Sequence, residues 1–134
     1  MRALRIDPSD STPIWSQIEE GVRRLVASGA LAAGSAMPSV RELASDLSVN
    51  PATVAKAYQK LTDAGILVVK RGEGTYVSEK PPSLPRNERA KTLRDGAARY
   101  ASLAVTVGAN EEEASRELGA AWKEFCEKAT RIKP

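Results

Sequence analysis

Histidine is absent from this chain, and cysteine occurs once, as Cys126. With no histidine and one thiol, the sequence holds none of the Cys and His spacings that bind zinc, and no internal disulfide can form. The commonest general base is missing as well, so Ser–His and Cys–His nucleophile pairs are excluded. The sequence therefore predicts no metal site, no cofactor and no enzymatic activity.

Long hydrophobic runs are also missing. No stretch approaches the roughly 20 apolar residues that span a bilayer, and the opening residues, MRALRIDP, lack the apolar core of a signal peptide. The composition is otherwise ordinary, since 42% hydrophobic and 28% charged residues are close to the average of globular proteins. We therefore expect a folded protein of the cytoplasm.

The charge balance says little by itself about a partner. Lys and Arg total 20 against 17 Asp and Glu, which leaves a net charge of +3. Residues 1–78 carry 9 basic and 8 acidic side chains, and residues 79–134 carry 11 and 9. Any surface that binds a nucleic acid must therefore be local.

The first part of the chain carries the start signals of two helices. Ser11 to Pro13 combine hydroxyl caps with a proline suited to the first helical position, and the apolar residues that follow keep helical spacing up to Gly29. Ser39 and Glu42 form an S-x-x-E capping box ahead of a short second helix.

A third helix and a hairpin follow directly. Asn50 is a cap, Pro51 opens the helix and Gly65 ends it. Residues 66–71 and 75–77 are rich in β-branched and aromatic side chains on either side of a glycine-containing turn, which is typical of a two-stranded hairpin. Two closely spaced helices followed by a hairpin predict a winged helix-turn-helix.

Several blocks of sequence carry a family resemblance. They are MPSVRELA at residues 37–44, VNPATVAKAYQKL at 49–61 and RGEGTYV at 71–77. Together these blocks resemble the GntR family of bacterial transcription regulators over roughly residues 11–78. The PIWSQI opening at 13–18, the Val49-Asn50-Pro51 turn and the short tail resemble its YtrA subfamily.

The resemblance implies an operator-binding surface on the second helix, the third helix and the wing. In the family, the arginine of the P-S-x-R-x-L-A motif contacts operator DNA, and it falls on Arg41 here. The predicted DNA-contacting residues are Ser39, Arg41, Asn50, Pro51, Ala52, Thr53, Lys56, Lys60, Lys70, Arg71, Gly72, Gly74 and Thr75. The lysines are expected at phosphates, Asn50 and Thr53 at base edges, and Arg41 at either.

Each assignment has a structural alternative. Arg41 would otherwise be a solvated arginine paired with Glu42 or Asp46. The presence of Asn50 is accounted for at least half by its role as a helix cap. The lysines of the third helix would aid solubility, and the glycines suit any tight hairpin. Many family members have base-contacting arginines where this chain has Pro51 and Ala55, so its sequence specificity must differ.

Residues after the linker predict two more helices. Asn87 is the expected cap of the first, which ends at Gly108, and Asn110 with Glu113 caps the second. Two helices in about fifty residues cannot bury both apolar faces, so a second copy of the chain is expected to cover them. The predicted dimerisation residues are Leu93, Ala97, Tyr100, Ala104, Leu118, Trp122 and Phe125. The alternative is a small-molecule effector pocket near Tyr100, Trp122 and Phe125.

The fold class predicted is mainly α with a small β-hairpin. A winged helix-turn-helix domain at residues 1–78 precedes a Pro-rich linker at 79–86, where three prolines favour extended backbone, and an all-α dimerisation tail at 87–134. We expect a homodimeric regulator, a repressor, that binds an inverted repeat in double-stranded operator DNA. The alternative is a winged module that binds protein or RNA.

Overall fold

The computed structural model describes residues 4–130, with side chains described through Cys126. The elements in chain order are α1 (Ile14–Ala27), α2 (Val40–Leu47), α3 (Pro51–Asp63), β1 (Leu67–Lys70), β2 (Gly74–Val77), α4 (Arg86–Thr106) and α5 (Glu111–Thr130). The chain forms two compact units, of which the second spans Ser83–Glu127. The predicted class, mainly helical with a small hairpin, is confirmed. The outer limits given to the domains, residues 1 and 134, lie outside the described residues.

The caps of α2 and α3 form as predicted. Ser39 Oγ accepts a hydrogen bond of 3.1 Å from the Glu42 amide, and the Glu42 carboxylate accepts one of 3.3 Å from the Ser39 amide. Asn50 Oδ1 accepts from the Ala52 amide at 2.8 Å, with Pro51 in the first position of α3. These bonds satisfy amide groups that an isolated helix start would leave without partners.

The start of α1 differs from the prediction. Pro13 is the N-cap rather than the first helical residue, and no side-chain hydrogen bond caps the helix. The side chain of Gln17 instead organises the preceding segment, because its Nε2 donates to the carbonyl oxygens of Asp7 and Thr12 at 2.9 Å each. Its Oε1 accepts from the Asp7 amide at 2.8 Å.

The hydrophobic core of the N-terminal unit draws on all of its helices and both strands. Its largest fully buried side chains are Ile18, Val22, Leu43, Val54, Leu61, Leu67 and Val77. Leu4 joins this core and lies against Gly21 of α1 so closely that a Cβ there would meet its side chain. Each fully buried aliphatic side chain contributes about 1.5–3 kcal/mol through removal from water.

The turn between α2 and α3 contains a left-handed residue that is not glycine. Ser48, the C-cap of α2, has φ of 55° and ψ of 47°. Its conformation lets the Val49 amide donate to the Ala44 carbonyl at 2.9 Å and sends the chain directly into the cap at Asn50. L-residues other than Asn and Asp rarely adopt this conformation, so the tight turn is formed at a local cost.

The wing is an antiparallel hairpin with a short third segment beside it. Val68 faces Tyr76 and Lys70 faces Gly74 across the β1–β2 ladder. Ala36 forms an additional bridge to Tyr76, and the Met37 amide donates to the Thr75 carbonyl at 2.8 Å. The segment ahead of α2 is thereby attached to β2, a pairing that the sequence does not predict.

The C-terminal unit is a pair of helices, α4 and α5, joined by a short turn. The Tyr100 hydroxyl donates to the Ala114 carbonyl at 2.7 Å, and Asn110 caps α5 by accepting from the Glu113 amide at 2.8 Å, as predicted. The predicted cap of α4 was wrong: the helix begins at Arg86 after Pro85, with no side-chain cap bond. Among residues 83–126 only Ala104 is buried. Within residues 4–130 no helix has the length and apolar character needed to cross a membrane.

Candidate nucleic-acid interface

The N-terminal end of α2 presents an exposed, cationic residue. Ser39 and Arg41 are both exposed, and the capping box keeps the Glu42 carboxylate turned back onto the Ser39 amide. In the part of the chain that the structure describes, Arg41 forms no ion pair, so the pairing with Glu42 or Asp46 considered from the sequence is not formed. Its guanidinium keeps its donors for an external acceptor.

Burial divides α3 into two faces. Val54, Ala57, Tyr58 and Leu61 face the core, which turns the opposite face to solvent. The exposed residues of α3 and its cap are Asn50, Pro51, Ala52, Ala55, Lys56, Gln59, Lys60 and Asp63, and Thr53 is half-buried. The first two turns of this face carry no acidic side chain. Because Asn50 uses Oδ1 in the cap, its side-chain amide hydrogens remain available as donors.

Two lysines of α3 share one aromatic ring. Lys56 Nζ lies 4.5 Å from the centroid of the Trp15 indole on α1, and Lys60 Nζ lies 5.9 Å from it. Both distances are within the range of a cation–π interaction. The sequence predicts both lysines as contacts, but it gives no signal for Trp15, whose ring lies near both ammonium groups.

The wing contains a further contact between a lysine and an aromatic ring. Lys70 Nζ lies 4.5 Å from the centroid of the Tyr76 ring on the paired strand. Gly72 and Gly74 have φ of 76° and 117°, and a Cβ on either would meet nothing within 4 Å. Both glycines are therefore required for the backbone conformation of the turn, and the space around them is open. Arg71 is exposed beside them.

A short segment connects the wing, α2 and α3. The Tyr58 hydroxyl of α3 donates to the Pro38 carbonyl at 2.7 Å, while the neighbouring Met37 amide donates to Thr75 of β2. Burial raises the pKa of the Tyr58 phenol, and the negative charge of Glu42 acts in the same direction. Tyr58 is consequently a neutral donor at physiological pH. The two hydrogen bonds fix Met37 and Pro38, which precede Arg41, against β2 and α3.

The predicted DNA-contacting residues thus fall on three connected elements of one unit. Thr53 and Thr75 are half-buried, and the other predicted contacts are exposed. Gln59 lies on the exposed face of α3 without having been predicted, and its amide donates to Asp63 at 2.8 Å. The 3.6-residue period would have found Gln59, since it lies one turn after Lys56.

The residues predicted for dimerisation divide into two groups. Leu93, Ala97, Leu118, Trp122 and Phe125 are exposed. The other two make contacts inside the helix pair. The Tyr100 hydroxyl donates to the Ala114 carbonyl, and Ala104 is buried. A cavity of about 300 Å³ with a largely apolar lining lies between α4 and α5. Its lining includes Tyr100 and Leu118.

Three helices, a tight turn between the second and third, and a basic wing define a winged helix-turn-helix protein. The family sequence model for bacterial regulatory proteins of the gntR family matches residues 15–77 of this chain. The chain belongs to the GntR family, and its similarity to YtrA proteins places it in the YtrA subfamily.

Proteins from three organisms show how far the similarity extends. The transcriptional repressor YtrA of Bacillus subtilis is 47% identical over 76 residues, which cover 57% of this chain and 58% of the repressor. YtrA from Sulfolobus acidocaldarius, a GntR-family transcription factor, is 38% identical with a TM-score of 0.58 over 72% of this chain and 98% of that one. A transcriptional antiterminator from Listeria monocytogenes is 28% identical with a TM-score of 0.72 over 90% of both chains.

Proposed function

We propose that this protein is a non-catalytic transcriptional repressor of the cytoplasm that binds an inverted repeat in duplex operator DNA as a homodimer. One observation carries the proposal: the exposed face of α3 presents Lys56 and Lys60 beside each other, and the acidic side chain on that face comes only at its end, at Asp63. A helix with a basic, solvent-facing side is what the major groove of DNA accepts.

The side chains on this surface divide by chemistry into two roles. Lys56, Lys60 and Lys70 are point charges with three donors each and suit phosphate oxygens. Arg41 and Asn50 offer planar sets of donors, which can be matched to acceptors on base edges. Since Pro51 and Ala55 carry no donor in their side chains, recognition in the first turns of α3 depends on Asn50, Thr53 and apolar contact with thymine methyl groups.

The C-terminal unit supports the dimer. Leu93 is 65% exposed, Leu118 55% and Trp122 69%, which is unusual for such large apolar side chains on two neighbouring helices. A second helix pair of the same kind would cover them and produce a four-helix arrangement with two-fold symmetry. Two-fold symmetry in the protein then matches an inverted repeat in the DNA.

The direction of regulation and the effector belong to the same proposal. Repression is supported by the similarity to the B. subtilis repressor YtrA. The cavity between α4 and α5 has the size of small-ligand sites and an apolar lining that includes Val105 and Leu118. A small, mainly apolar effector bound there would contact both helices of the dimerisation unit.

The test is a mobility-shift assay and a footprint on the DNA upstream of the protein's own gene. We expect one protected region with two-fold symmetry, and a complex that RNA of the same sequence does not displace. Transcription from that promoter in vitro should fall when the protein is added. Efficient competition by the RNA, or a protein that protects no DNA, would contradict the proposal and favour the alternative of a module that binds RNA or protein.

A further inference from the structure

The contact between Trp15 and the two lysines of α3 points to a role for α1 in binding DNA. We propose that Trp15 is a positioning residue: its indole face holds the ammonium groups of Lys56 and Lys60 together in the orientation in which they meet the phosphate backbone. The inference rests on the proposed function and adds a residue from outside the helix-turn-helix.

Trp15 is suited to this task because it is itself fixed. It is half-buried and packs against the hydrophobic core of the N-terminal unit. Lys56 and Lys60, by contrast, are exposed, and long exposed lysine side chains normally sample many rotamers. A rigid aromatic ring that attracts both ammonium groups removes part of that freedom before DNA arrives.

The interaction leaves the lysines able to bind. A cation–π contact attracts the charge of the ammonium group and needs none of its three N–H groups as a conventional donor. In the described part of the chain neither lysine forms an ion pair that would have to break first. Tryptophan is also the most effective aromatic side chain for this contact. The ring therefore orients the ammonium groups of Lys56 and Lys60, and among the described residues no ion pair competes with phosphate for them.

The direct test measures DNA affinity for a set of combined substitutions by fluorescence anisotropy. The probe is a short DNA duplex of arbitrary sequence at low salt, because phosphate contacts do not depend on sequence. Trp15→Leu should weaken binding about threefold to tenfold, because the two lysine side chains would then have to be ordered when DNA binds, which has a cost of about this size. Trp15→Phe should restore most of the affinity. In a Lys56→Ala/Lys60→Ala background, Trp15→Leu should have no further effect.

Lys70 provides the matched control. It is a predicted phosphate contact too, but its ring partner is Tyr76, so Trp15→Leu and Lys70→Ala should have additive effects on affinity. If Trp15→Leu weakens binding equally with and without the two α3 lysines, Trp15 acts through the fold and the proposal is overturned. If removing both lysines leaves affinity unchanged, the failure lies in the proposed function itself.

A second measurement requires no DNA. Protons over the face of an indole ring are shifted upfield, so the side-chain methylene signals of Lys56 should be displaced in the NMR spectrum of the wild-type protein and return to ordinary values in Trp15→Leu. Thermal unfolding of the same variants shows the part of the effect that comes from lost packing. Unshifted Lys56 signals in the folded wild-type protein would overturn the proposal independently of any binding result.

Discussion

The hydroxyl of Tyr58, in the middle of α3, donates a hydrogen bond of 2.7 Å to the carbonyl oxygen of Pro38, just ahead of α2. This bond joins residues 20 positions apart and fixes the start of α2, with Ser39 and Arg41, against the helix that we propose enters the major groove.

Because the pKa of Tyr58 is raised in the folded protein, this residue should make the free energy of unfolding fall at alkaline pH. Its folded pKa is raised above the ordinary value near 10, so the bond contributes fully below pH 10 and is lost as the pH rises toward the folded pKa. Tyr58→Phe should lower the free energy of unfolding by about 0.5–1.5 kcal/mol at pH 8. Urea unfolding of both proteins should show this difference shrinking between pH 10 and 11. A difference that stays constant would contradict the assignment.

Replacing Ser48 by glycine should stabilise the protein. Ser48 has φ of 55°, where glycine is free of the steric penalty, so Ser48→Gly should raise the free energy of unfolding by about 1 kcal/mol. Ser45→Gly, at an exposed position inside α2, is the matched control and should lower it by about 0.5 kcal/mol. Urea unfolding measures both. A Ser48→Gly protein that is less stable than wild type would show that the side chain has an unrecognised role.

The elements of the fold were predictable because their signals are local. The Ser39–Glu42 box and the Asn50 cap depend on residues two or three positions apart, and both form as expected. The start of α4 was mispredicted because Asn87 offers a cap that competes with Pro85, whose φ of −55° suits the residue before a helix.

Contacts between distant residues were not predictable in the same way. Trp15 and Lys56 are far apart in the sequence and meet only because α1 packs across α3. The bridge between Ala36 and Tyr76 depends in the same way on where the wing returns to the unit. Sequence periodicity shows which face of a helix is polar, but the side chains that orient its charges belong to other elements.

Arg41→Ala should reduce operator affinity with little effect on the fold. Arg41 is exposed and has no ion pair among the described residues, so the free energy of unfolding should change by less than about 0.5 kcal/mol. A specific base or phosphate contact is worth about 1–3 kcal/mol of binding free energy. Anisotropy with the footprinted operator measures the loss, and Lys80→Ala, in the exposed segment after the wing, serves as control. Wild-type affinity in Arg41→Ala would remove this residue from the interface.

The lysines of α3 should determine how steeply binding depends on salt. Each phosphate contact that is lost flattens the plot of log affinity against log salt concentration by about one unit. Lys56→Ala/Lys60→Ala should therefore lower the slope by about two units per protomer. Titrations at several salt concentrations provide the slope, with Lys91→Ala on α4 as control. An unchanged slope would mean that α3 does not approach the DNA backbone.

A charge on the apolar face of the tail should separate the proposed dimer. Leu93→Asp and Leu118→Asp each place a carboxylate where we propose that a second copy packs, which costs several kcal/mol of association. Sedimentation should report monomers, and circular dichroism a retained helical fold, since the core of the N-terminal unit lies within residues 4–77. Ser102→Asp, on the opposite side of α4 from Leu93, should remain dimeric.

Affinity should follow the loss of association. A monomer retains one winged unit, so its operator binding should become weak and strongly salt-dependent. If both leucine variants sediment as dimers and bind the operator normally, the tail is not the dimer interface.

The position of the hydrophobic core within the chain also determines the order of assembly. Its last member is Val77, and the chain from there to the end of α5 takes several seconds to synthesise at about 5–20 residues per second. Small units dominated by local helix contacts fold in microseconds to milliseconds. The DNA-binding unit therefore has time to fold while the ribosome is still adding α5. Pairing of two tails in the proposed dimer would come afterwards, so the rate at which the proposed repressor dimer accumulates would be set by how often tails meet rather than by how fast the winged unit folds.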